Sequence, residues 1–150
     1  MSKITKRKIP KSYRVQSMVN LNLGDERLEK GDYSKCIALY QECVELSIKS
    51  ILSLYGRGFP HRHEVSKKLG EIKGIPDWFK ERVPRIVIGS ITLGSWMIPA
   101  RYGYPELDIP PMELFDKRLA KLAKEFAGDI LKDCVQLYSE IVYPKDKERT

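Results

Sequence analysis

Asparagine and glutamine are scarce in this sequence: Gln16, Asn20, Asn22, Gln41 and Gln136 are the only five among 150 residues. Few amides beside abundant lysine and glutamate is a habit of thermophile proteins. Cysteine is rarer still, with Cys36, Cys43 and Cys134 alone. Three is an odd number, and the spacing fits neither a disulfide framework nor a zinc motif. On a helix, Cys36 and Cys43 would stand roughly 10 Å apart along the axis, beyond the ~7 Å reach of a disulfide. Cys134 could meet either only across helices. Reduced, buried thiols are therefore expected. Long apolar runs are absent too. The longest uncharged stretch, Ile86 to Ala100, has fifteen residues. As a helix it would be about 22 Å long, short of the ~30 Å hydrocarbon core of a bilayer. It is expected to be a buried helix and not a membrane span. No basic start leads into an apolar stretch with a small-residue cleavage site. A cytoplasmic location without membrane association is the expectation.

What is present is positive charge, a formal +7, and its placement is uneven. Residues 1–14 hold Lys3, Lys6, Arg7, Lys8, Lys11 and Arg14 and no acid. The remainder nets only +1. The reading is a basic flexible tail over residues 1–11, a single domain over 12–143 and a C-terminal tail over 144–150. Such a tail attracts phosphate without sequence preference, or simply aids solubility. A second basic cluster runs from Arg57 to Arg85, with acids interspersed.

Helical periodicity dominates the domain. Tyr33, Ile37, Tyr40, Val44, Ile48, Ile51 and Tyr55 recur at spacings of three and four. They predict a helix from about Asp32, a natural N-cap, to Gly56, a natural stop. Phe115, Leu119, Leu122, Phe126, Ile130, Cys134, Leu137 and Ile141 predict another, ended before Pro144. Met18, Leu21 and Leu28 mark a weaker helix from about Ser12 to Lys30. A short helix is expected between His63 and Lys73. The segment from Asp77 to Ile98 is apolar on most sides after Pro84, which either kinks it or divides it. A helix apolar all round is usually the centre of a bundle, and Ser90 and Gly94 would let a neighbour approach closely. No strand alternation competes. The fold class is all-α: an up-and-down antiparallel helical bundle of four long helices plus a short helix. Between Pro99 and Pro111, four prolines and no helical pattern predict a loop, long for a bundle connection.

Three constellations could carry chemistry. Glu45 and Lys49, four apart on the strongest helix, read most simply as a surface ion pair. Arg57 and His63 have five residues between them. An arginine and a histidine brought together can cleave RNA without a metal. The histidine moves the proton of the 2′-hydroxyl, and the guanidinium steadies the phosphorane charge. The plainer reading is that His63 packs beside the short helix. No Asp, Glu or Cys partners cluster near His61 and His63, so neither a metal nor another cofactor is expected. Arg101, Tyr102 and Tyr104 share the proline-rich loop. A guanidinium can hold a phosphate bidentately and a tyrosine can stack on a base. The plainer reading is that the tyrosines close one end of the bundle.

Three segments resemble the HEPN family (higher eukaryotes and prokaryotes nucleotide-binding domain). One is the helix after Gly31-Asp32-Tyr33, with Cys36, Ala38, Gln41, Glu45 and Lys49. Another is Gly58-Phe59-Pro60 followed by His63-Glu64-Val65. The last is Ala100-Arg101-Tyr102-Gly103-Tyr104-Pro105-Glu106. The closing helix follows them, and the resemblance covers roughly Ser12 to Tyr143. The resemblance implies an antiparallel helical bundle, frequently a homodimer. Many members are RNA-cleaving toxins with an Arg, four to six residues, then His on a later helix. Here that region, Ile86 to Tyr104, contains no histidine. Other members, lacking the motif, are nucleotide-binding partners of small nucleotidyltransferases, and this sequence is more similar to those. The expected function is a non-catalytic nucleotide- or RNA-binding bundle. Its contact residues would be Arg101, Tyr102 and Tyr104, supported by Lys49. Its rivals are the Arg57–His63 ribonuclease and a protein interaction module that binds no nucleotide.

Overall fold

A computed structural model describes residues 7–58 and 65–145. Its long helices are α1 (Lys8–Glu29), α2 (Tyr33–Leu54), α3 (Asp77–Tyr102) and α5 (Lys117–Val142), with a single turn, α4 (Pro111–Leu114), before the last. A 3-10 segment, Ser66–Glu71, joins α2 to α3 where the short helix was expected. Arg7 meets Val142, Arg85 meets Asp129 and Trp78 meets Glu140. Those contacts make α5 antiparallel to both α1 and α3. The architecture is an up-and-down bundle, as the periodicity predicts.

Its centre is α2, and not the apolar segment α3. Ile37, Tyr40, Val44, Ile48 and Ile51 of the predicted stripe are buried, and so are Cys36, Cys43 and Leu52 on other sides. All three other long helices pack on α2. Ser47 and Ser50 are buried as well, and donate to the Cys43 and Ser47 carbonyls. Asp32 stands at the N-cap position, but its side chain caps no amide. It faces Arg27 at 3.9 Å instead. Gly56 ends the helix with φ +68°, where a side chain would be strained.

The helix α1 is inverted relative to the usual pattern. Ser17, Asn20 and Gly24 are buried, while Val15, Met18, Val19 and Leu23 are exposed. Met18 was expected to mark the inner face; only Leu21 and Leu28 pack against the core. Small inner residues permit close approach. A Cβ on Gly24 would stand 2.5 Å from the Tyr40 ring. The start also differs from the sequence reading. Residues 8–11, read as tail, form the first turn of α1, with Pro10 buried.

Pro84 and Pro99 both lie inside α3. A proline in a helix interior costs about 3 kcal/mol. Burying Phe79 on one side and Ile86 on the other offsets this, at about 1.5–3 kcal/mol for each large side chain. The helix therefore continues through Pro84. It also continues past Pro99, so Arg101 and Tyr102 form its last turn and do not lie in the loop. Gly103 stops it with φ +74°, and a Cβ there would stand 2.3 Å from the Ile109 carbonyl oxygen. The close approach expected at Ser90 and Gly94 falls one turn earlier for glycine. Gly89 receives Phe126 and Ile130 of α5, while Gly94 faces open space. This helix is long and apolar enough to cross a membrane. In the fold it packs on α2 and α5 through Ile86, Leu93, Met97 and Ala100.

The real loop runs from Gly103 to Pro110. Tyr104 and Ile109 exchange backbone hydrogen bonds of 2.8 and 3.2 Å across it. Phe115 is buried before α5 begins, with its ring 6.1 Å from that of Trp96. Asp116 then caps α5, its carboxylate accepting from the Leu119 amide at 2.9 Å. The inner face of α5 carries Ala120, Ala123 and Ala127 as well as Ile130, Cys134 and Leu137, whereas Leu122 of the predicted stripe is exposed.

Candidate functional site: a groove between the ends of three helices

Helices α1 and α3 both pack extensively on α2 and hardly on each other. Two packed cylinders on a third leave a groove over it, and here the groove is open. At one end, α2 starts while α1 and α3 finish. Two adjoining cavities occupy this end, of about 510 and 350 Å³. Lys35, Ala38 and Arg101 line both. The larger is closed on one side by Pro110, Pro111 and Met112. The smaller is flanked by Leu23 and Arg27 of α1 and by Leu39 of α2.

The local chemistry suits an anion. Arg101 and Lys35 are exposed, so their charges keep their hydration until a ligand arrives. Three cations meet there, counting Arg27. Two acids temper them: Asp32 lies near Arg27 in the larger cavity, and Glu42 lines the smaller. The apolar walls can hold the flat face of a base while the cations hold a phosphate.

The sequence-predicted residues are only partly brought together. Arg101 lies at the heart of the groove. Tyr102 and Tyr104 are exposed on its margin and line neither cavity. Lys49 lies fourteen residues beyond Lys35 on the same helix, about 21 Å along its axis. Its ammonium pairs with Glu45 at 3.2 Å, and both side chains are largely covered. Arg57 donates to the Glu71 carbonyl at 2.9 Å and so pins the 3-10 segment. Lys68 reaches back to the Gly58 carbonyl at 3.1 Å. Both His61 and His63 lie outside the described residues. Sequence reasoning missed Lys35 and Arg27. Each looks like an ordinary helix-surface cation until packing sets it opposite Arg101.

Other chemistry has little footing among the described residues. No group of three or more His, Cys, Asp or Glu is arranged to hold a metal ion. The three thiols are free and buried. Burial pushes Cys36 and Cys43 up to about 12, and Asp32 adds to the effect at Cys36. Cys134 is raised as well, again by burial. Thiols held so far above neutrality make poor nucleophiles.

Among curated proteins, none matches this chain. Among solved structures, the chain is similar to one described as TT1696 from Thermus thermophilus. The TM-score is 0.67 at 20% identity, covering 85% of this chain and 97% of the other. At that identity the likeness shows a shared fold. The family model for the HEPN domain matches residues 16–142, nearly the whole described bundle. This chain belongs to the HEPN domain family.

Proposed function

We propose that this protein binds a nucleotide, or a phosphate of RNA, in the groove at Arg101 and does no chemistry on it. The observation that supports this reading is the convergence of Arg101, Lys35 and Arg27 on two adjoining, partly apolar cavities. Arg101 takes the phosphate and Lys35 adds a second charge. Tyr102 and Tyr104, at the margin, stack on whatever extends outward. Lys49 is too distant for one mononucleotide to touch both it and Arg101. Its contribution requires a strand long enough to follow the groove along α2.

In this reading the protein acts as a cytoplasmic homodimer and as a partner of a small nucleotidyltransferase. The dimer is favoured by the outer face of α3. Pro84, Ile88, Ile91, Ser95 and Ile98 recur at alternating spacings of four and three, and the isoleucines are exposed. That is the seam spacing of paired helices. No charge interrupts it between Arg85 and Arg101, so the same face of a second copy meets no repulsion there.

Calorimetric titration with ATP tests the site. Losing a charge-assisted phosphate contact is worth about 1.5–3 kcal/mol, so Arg101→Ala should weaken binding on the order of 10- to 100-fold. Lys49→Ala should leave ATP affinity unchanged. Equal affinity of the wild-type and Arg101→Ala proteins would place the phosphate site elsewhere.

A further inference from the structure

The small net charge of the domain conceals a segregation. On α5, the acids Asp129, Asp133 and Glu140 turn toward α3. Asp129 is bonded to Arg85, Trp78 donates to Glu140 at 3.0 Å, and Asp133 feels Arg82 and Arg85. The lysines turn the other way. Lys117, Lys121, Lys124 and Lys132 fall with Gly128 on one stripe, at spacings of four, three, four and four. This stripe borders α1, as the 3.6 Å ion pair of Lys124 with Asp25 shows.

The facing flank of α1 is basic over its first half. Arg7 donates to the Val142 carbonyl at 3.3 Å. The Arg14 guanidinium lies over the Tyr138 ring, 4.7 Å from its centre, and its Nε has no hydrogen-bond partner among the described residues. Lys11 lies one turn from each, exposed. Lys11, Lys121 and Lys132 form no ion pair among the described residues. The two helices thus enclose a shallow furrow; because they are antiparallel, Arg7, Lys11 and Arg14 border one half of it and Lys117, Lys121 and Lys124 the other. It follows the 22 residues of α1, about 33 Å. Among the described residues two acids of α1, Asp25 and Glu29, fall on this flank, both in its second half, and Tyr40 and Lys124 already engage the Asp25 carboxylate.

We propose that the α1–α5 furrow is a second binding surface, one that takes the phosphodiester backbone of a single nucleic-acid strand. A linear row of cations in a furrow matches a linear polyanion. Its length suits a run of several consecutive phosphates. A lipid surface is flat and meets ridges before furrows, so it fits this arrangement less well. The furrow lies on the flank of α1 opposite to Leu23 and Arg27. At 100° per residue, Leu23 and Asp25 point roughly 160° apart. Occupation of the furrow therefore does not depend on the Arg101 groove, and a ligand in one leaves the other accessible.

The test is the salt dependence of binding of the full chain to a twenty-nucleotide oligouridylate, with oligothymidylate alongside. Removing one cation from each bank, with Lys11→Gln and Lys121→Gln together, should make the negative slope of log affinity against log salt shallower by about 1.4. The pair Lys73→Gln and Lys80→Gln removes the same charge elsewhere and should leave the slope within error of wild type. Both oligomers should respond alike, because the backbone charge is what is read. ATP titration of the furrow variant should match wild type, which separates this surface from the Arg101 site. Equal slopes for the two double variants would overturn the furrow. So would loss of binding to phosphatidylserine vesicles with oligonucleotide binding unaltered.

Discussion

The ring of Tyr40 fills the space where a side chain on Gly24 would begin, and its hydroxyl donates to Asp25 at 2.6 Å. Burial and that bond hold the ring in place, so an added methyl group cannot be accommodated cheaply. Gly24→Ala is expected to destabilise the fold by about 1–3 kcal/mol in urea unfolding. Gly94→Ala meets nothing within 4 Å and should instead stabilise it, by about 0.5–1 kcal/mol from helix propensity alone. Two glycines inside helices thus carry opposite predictions, and only tertiary packing tells them apart. The cysteines were easier to read. Their scarcity and spacing argued for reduced, buried thiols, and all three are free and buried. With Cys36 and Cys43 pushed up to about 12, the protonated thiol prevails at pH 8. Native protein should resist iodoacetamide at that pH, with all three sites labelled after unfolding, as mass spectrometry would record.

Among the elements, α2 and α5 followed their hydrophobic periods because both bury an apolar stripe. The other two long helices did not. Periodicity locates the face rich in apolar groups and assumes that it points inward. In α1 the inward face is Ser17, Asn20 and Gly24, since close approach to α2 needs small residues. In α3 the apolar residues surround the helix, so their pattern cannot say which side meets α2 and α5 and which is left bare. The same helix was expected to end near Pro99, because local preference disfavours the residue before a proline in a helix. Packing of Met97 and Ala100 carried it one turn further, and so set Arg101 at the groove. The bare face gives the prediction that belongs at this scale. In the proposed homodimer, Ile91→Arg should leave a monomer in analytical ultracentrifugation, with helical content by circular dichroism unchanged. A dimer that persists would show that α3 is not the seam.

For the whole molecule, the charge arithmetic proved the least informative quantity as a sum and the most informative once placed. Six positive charges in the first fourteen residues suggested a tail, yet Arg7, Lys8, Lys11 and Arg14 belong to or abut α1, and the first and last of them contact α5. On α5 the acids Asp129, Asp133 and Glu140 turn toward α3, and the stripe of lysines borders α1. By itself the sequence determined the all-α class, the number of long helices, the burial of the thiols and the likeness to the HEPN family. Those follow from periods and motifs that repeat within a single element. The tertiary structure alone decided that α2 is the centre and that Lys35 and Arg27 join Arg101. It alone set Lys49 far from Arg101, and drew the basic residues of α1 and α5 along one furrow. Such relations hold between residues distant in the chain, and they depend on how closely helices approach and at what rotation, which a linear spacing does not encode.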